Sequence, residues 1–178
     1  MKQHNGEHMV MDLNGINKNK FILMLIVLAV LTRWLPHPPN VAPITAIALF
    51  GGNRFDNKWL AFSLPLLCMF ISDLFLGFSM ISMFVYISFM MISLIGINSK
   101  KISNGTIFGS SLLFFLVTNF GVFLLGYPQT IQGLISCYTL ALPFFVNTLI
   151  GDFGFTYGLN YSFEKAKQKG VVENAISL

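Results

Sequence analysis

The chain has 178 residues, of which 54% are hydrophobic and 10% charged, with a mean hydropathy of +0.70. A soluble domain carries about a quarter charged residues on its wetted surface; this chain lacks the material for such a surface, which excludes a hidden soluble catalytic domain. Its net charge of +4 sits in loops and tails with no basic patch interleaved with aromatics, so membrane orientation and anionic headgroups account for it and nucleic acid is not an expected partner.

Apolar segments fall at 20–35, 38–52, 59–77, 79–97, 105–126 and 138–161. The polar start before the first segment includes Glu7 and Asp12. The run Phe21–Leu31 leads into Thr32-Arg33-Trp34-Leu35-Pro36 and not into a small-residue cleavage site. A retained first helix is therefore expected, not a cleaved signal. The second segment is the weakest: Pro38, Pro39 and Pro43 crowd its start, and its clean apolar part, Val41–Phe50, is short for a span of about 20 residues. It reads as a broken span or a re-entrant piece. Segment four, Ser79–Ile97, carries no charge, and Ile102–Gly151 has none over 50 positions. One helix of that length would be about 75 Å long, so the chain must turn, and Gly126-Tyr127-Pro128-Gln129 is the place for it. Gln132–Leu142 suggests a short surface helix before Pro143 opens the last span.

Loop charge arbitrates over segment two. With the N-terminus inside and all six segments crossing, the cytoplasmic side holds Lys2, Lys18, Lys20, Arg54, Lys58, Lys100, Lys101, Lys165, Lys167 and Lys169. The outer side holds only Arg33. The positive-inside rule favours that arrangement. The expectation is an all-α integral membrane protein, a bundle of about six transmembrane helices whose second is short and proline-broken. Residues 1–19 and 163–178 would be cytoplasmic tails and 20–162 the membrane domain. Irregular backbone survives at membrane depth only when buried in protein or lining a cavity, which makes segment two a candidate cavity wall.

Ionisable groups inside a bilayer cost about 2.5–3.5 kcal/mol or more at its centre, so they point to function. Asp73, near the outer end of span three, and Asp152, nearer the middle of span six, have no Lys or Arg in their own segments. Each must face protein, water or ligand, or stay protonated; a hydrogen bond between spans is the plainer reading. Asn119 and Asn147 are polar amides in spans five and six, where interhelical packing is the alternative to a binding role. Arg33, His37 and Asn40 gather at the outer mouth, where Arg33 could bind an anionic ligand, pair with Asp73, or simply snorkel beside Trp34. Ala42-x-x-x-Ala46 has the small-residue spacing that permits close helix contact, within the chain or with a partner. Cys68 and Cys137 read as small buried hydrophobes. No Walker A loop, GxSxG or HExxH appears, and His4-x-x-x-His8 lies in a Gly- and Asn-bearing tail. Neither enzyme activity nor a cofactor or metal is expected.

A combination of motifs carries a resemblance. It comprises Pro36-His37-Pro38-Pro39-Asn40 with Pro43, Ala46-Ile47-Ala48-Leu49-Phe50-Gly51-Gly52, Ser72-Asp73-Leu74 with Gly77, and Thr118-Asn119-Phe120. Gly133, Cys137-Tyr138, Ala141-Leu142-Pro143-Phe144-Phe145, Asn147 and Gly151-Asp152 complete it. Over residues 30–162 the chain resembles a bacterial family of uncharacterised transport-type membrane proteins, itself similar to the substrate-binding (S) components of energy-coupling factor (ECF) vitamin transporters. The resemblance implies a six-helix bundle with an outward-facing pocket and an energising module of one membrane subunit and two ATPases. Ala42 and Ala46 resemble the docking motif of S components, although that motif lies in their first helix. The expected function is capture of a small polar solute, a vitamin or precursor, by Arg33, His37, Asn40, Asp73, Asn119, Asn147 and Asp152. The alternatives are a stand-alone proton-coupled carrier and a structural or assembly subunit of the membrane.

Overall fold

A computed structural model describes residues 18–34, 40–55 and 57–168. These form six helices and no strand: α1 (Lys18–Trp34), α2 (Ile44–Arg54), α3 (Lys58–Leu76), α4 (Ser82–Asn98), α5 (Asn104–Gly126) and α6 (Ile131–Gln168). The starts of α3 and α5 are fixed by side-chain caps. Asn57 accepts from the Leu60 amide, and Ser103 and Thr106 form a reciprocal capping box. Gly77 closes α3 at φ 90° with its N–H on the Asp73 carbonyl, a left-handed position at which a side chain would be strained. The expected turn after Gly126 is present.

Cross-bundle contacts show that successive helices alternate in direction. Arg33 meets Asp73, joining the C-terminal ends of α1 and α3. At the other end Asn53 Nδ2 donates to the Ser99 carbonyl, joining the ends of α2 and α4, and Arg54 pairs with Glu164 of α6 at 2.7 Å. The bundle thus has a mouth end, where Arg33 lies, and a base end, with Arg54, Lys58, Lys100, Lys101 and Lys165.

The second helix is the hub. Nine of its eleven residues are buried, and it packs against α3, α4, α5 and α6. At Gly52 it meets Gly96 of α4 backbone to backbone: a Cβ added to Gly52 would lie 2.6 Å from the Gly96 carbonyl carbon. Small residues permit such closeness, which multiplies weak dispersion contacts. Phe50 stacks edge-on against Phe55 and Phe163, and the Arg54 guanidinium lies over the Phe163 ring. At about 1.5 Å per residue α2 is about 16 Å long, half of a bilayer core of about 30 Å. The non-helical strip Asn40–Pro43 precedes it.

By contrast, α3, α5 and α6 are long and apolar enough to cross a membrane. Their outward faces carry Leu67, Phe70, Leu116, Phe120, Leu142 and Ile150, all exposed. The expectation of a separate surface helix ending at Pro143 is corrected: α6 is one helix of 38 residues with Pro143 inside it. Pro143 is exposed, and its missing N–H leaves the Thr139 carbonyl without its helical partner. The same helix continues through residues 163–168, with Phe163 buried, past the boundary at 162 drawn from sequence.

Candidate functional site

Two carboxylates meet one cavity, at different depths. Asp73 is in the last turn of α3, and its backbone position is held by the Gly77 cap. Arg33, in the last turn of α1, places Nη2 2.7 Å from Asp73 Oδ1, and Tyr86 of α4 donates its hydroxyl to Oδ2 at 3.1 Å. Arg33 Nη1 points at the Met69 sulfur. The carboxylate is 3% exposed and the guanidinium side chain 22%, so the pair is shielded from most of the screening that weakens surface ion pairs. The pairing of Arg33 with Asp73, one of the sequence-based options, is the one adopted.

Asp152 lies deeper and is 1% exposed. Ser111 of α5 places its hydroxyl 2.6 Å from Oδ2, closer than its other acceptor, the Ile107 carbonyl at 3.1 Å. The Thr45 hydroxyl, in the first turn of α2, also bonds this carboxyl. The helix thus begins beside an acid near the middle of α6. Its N-cap is Pro43, which has no side-chain oxygen to offer, so a carboxylate beside its first turn complements the positive end of the helix. Gly151 makes room for the approach: a Cβ there would stand 3.2 Å from Val41 Cα. Asn40 starts the strip with φ 66°, a left-handed conformation that Asn tolerates better than most residues.

A cavity of about 350 Å³ joins these groups, with Arg33, Asn40, Ala42, Thr45, Asp73, Thr148 and Asp152 in its wall. A second cavity of about 350 Å³ adjoins it, and both are lined by Asn40, Ile81, Val85 and Phe114. The second is lined further by Asn119, Tyr127 and Phe144. The expected cavity-wall role of segment two is met by Ala42, Ile44 and Thr45.

The predicted site residues therefore separate. Arg33, Asn40, Asp73 and Asp152 share the first cavity. Asn119 lines the second, its amide donating to the Phe115 carbonyl of its own helix at 2.8 Å. His37 lies outside the described residues. Asn147 is half-buried and lines neither of these two cavities; the inward stripe of α6 runs through Thr148, Asp152 and Thr156. A helix turns about 100° per residue, which swings Asn147 off that stripe. For Ala42 and Ala46 the contacts seen lie within the chain. Ala46 is fully buried and Ala42 faces the cavity, so this spacing serves packing within the bundle.

Sequence reasoning missed Thr45, Ser111 and Thr148. The i, i+4, i+8 spacing of Thr148, Asp152 and Thr156 was the available signal. Ser110 and Thr156 have buried hydroxyls without a hydrogen-bond partner. Among the described residues no three of His, Cys, Asp and Glu cluster as metal ligands. Cys68 and Cys137 are buried free thiols.

No curated protein and no solved structure matches the chain. A family profile described as a family of unknown function matches residues 14–173, which is most of its length, and the chain accordingly belongs to that family, DUF6580.

Proposed function

We propose that the protein is an integral membrane transport protein of the cytoplasmic membrane, with both termini in the cytoplasm, that captures a small polar solute from the outer side. The observation that carries this reading is the 350 Å³ cavity with an Arg33–Asp73 pair at its mouth and Asp152 at its floor. A volume of about 300–1,000 Å³ with few convergent polar groups is typical of small-molecule sites. Basic residues at the base end and Arg33 at the mouth end support the orientation. Exposed Leu, Phe and Ile along α3, α5 and α6 support contact with lipid.

Such a site binds and releases; it is not read as an enzyme. In the proposed mechanism the solute enters between the mouth end of α1 and the strip Asn40–Pro43 and settles against Thr45, Thr148 and Asp152. Inward release draws on an ECF-type energising module, as the resemblance to S components implies. The half-length α2, which begins at the cavity floor, parallels the broken helices at transporter binding sites.

Thermal-shift and native mass-spectrometric screening of purified protein against vitamins and their precursors tests the reading. A ligand whose stabilisation disappears in Asp152→Asn is expected. Unchanged binding and uptake in both Asp73→Asn and Asp152→Asn sinks the pocket. A second reading, a proton-coupled carrier, is favoured by the burial of Asp152 among hydroxyls with no cationic side chain beside it among the described residues. Uptake that persists without an ATPase module and collapses with the proton gradient would select it. Absence of any uptake would favour an assembly subunit.

A further inference from the structure

We infer that the captured solute is an organic cation with an apolar or aromatic body, its positive head against Asp152 and its body in the second cavity. This rests on the solute-capture reading and adds the chemical class of the ligand.

The first argument is charge. Among the described residues the first cavity is lined by one cation, Arg33, and two acids, Asp73 and Asp152. Arg33 is committed to Asp73 at 2.7 Å, and Tyr86 occupies the other oxygen of that carboxylate. Asp152 receives only hydroxyls, from Ser111 and Thr45, and no ion pair reaches it among the described residues. Among the described residues Asp152 is therefore left without a counter-charge, in surroundings where an unneutralised carboxylate is costly. Thr148 stands one helical turn from Asp152 and donates its own proton to the Phe144 carbonyl. Its oxygen is left as an acceptor, which suits an N–H donor head.

The second argument is shape. The adjoining cavity is lined largely by carbon, with Val122, Leu140, Ala141 and Phe144 besides the shared Phe114. Asn119 spends one of its two amide N–H donors on the Phe115 carbonyl of its own helix. A head in one chamber and a ring in the next would lie along the shared lining residues Asn40, Ile81, Val85 and Phe114.

The test uses the intact protein in detergent at pH 7 with three probes that share a phenethyl skeleton: phenethylamine, 2-phenylethanol and 3-phenylpropanoate. Calorimetry or native mass spectrometry should rank the amine first by at least about tenfold. Asp152→Asn, which keeps the side-chain shape, should abolish the preference for the amine over the alcohol. Ala141→Leu, which fills the second chamber, should weaken phenethylamine several-fold and leave ethylamine unaffected. An unaltered thermal unfolding profile in each variant certifies the fold. Preference for the alcohol or the carboxylate, or an amine affinity indifferent to Asp152→Asn, overturns the cation assignment and leaves solute capture standing. No binding by any probe overturns this head-and-body class, while solute capture is decided separately by the vitamin screen.

Discussion

The mouth and the floor of the cavity each hold a buried acid, yet the two are solved differently. Asp73 has a guanidinium at 2.7 Å and a phenol at 3.1 Å, and its partners come from α1 and α4. Asp152 has hydroxyls from α2 and α5 and no cation among the described residues. A charge pair formed inside the chain ties helices together whether or not a ligand is present. A carboxylate held only by hydroxyls is positioned but not neutralised. Stability should therefore reside at the mouth and recognition at the floor.

The largest expected effect tests the mouth. Asp73→Asn leaves Arg33 facing a neutral amide, and breaking one side of a buried pair costs about 3 kcal/mol or more. Chemical or thermal unfolding in detergent should register that loss. A change below about 1 kcal/mol would show Arg33 escaping to water through its 22% exposure. The double change Arg33→Met with Asp73→Leu should recover most of the lost stability, because replacing both partners by apolar groups is often neutral. Failure of that rescue would mean that Asp73 acts through Tyr86, and the division between mouth and floor would blur.

Much of this contrast was legible in the sequence. The six helices follow the apolar segments, and the charge-poor run Ile102–Gly151 turns after Gly126 as expected. Asp73 and Asp152 stand out because few other ionisable groups lie in apolar runs. What sequence could not separate was lipid-facing from core-facing carbon: Ala46-Ile47-Ala48-Leu49-Phe50 reads the same in either setting, and all five are fully buried. Pro143 misled for a related reason. Proline is a strong local breaker, but on an exposed face of a long helix its cost is local and the flanking hydrogen bonds carry the helix through. Thr148 was passed over for Asn147 because an amide is a louder polar signal than a hydroxyl, although the helical phase of Asp152 selects the threonine.

At the floor the expected stability change is smaller. Asp152→Asn keeps an amide oxygen for Ser111 and Thr45, and the cavity gives its NH₂ access to water, so the cost should stay near or below about 1 kcal/mol. Unfolding that falls by as much as in Asp73→Asn would break the contrast, since Asp152 would then be structural too. Thr156→Val sharpens it further. Thr156 stands one turn toward the base from Asp152, is 1% exposed, and its hydroxyl has no partner. Valine is nearly isosteric and removes an unsatisfied buried oxygen, so the variant should be neutral or more stable by up to about 1 kcal/mol. Ligand affinity should not move, because Thr156 lines neither cavity. If Thr156→Val instead slows uptake while binding is intact, the hydroxyl serves passage from the floor toward the base, and the recognition region would extend one turn deeper along α6.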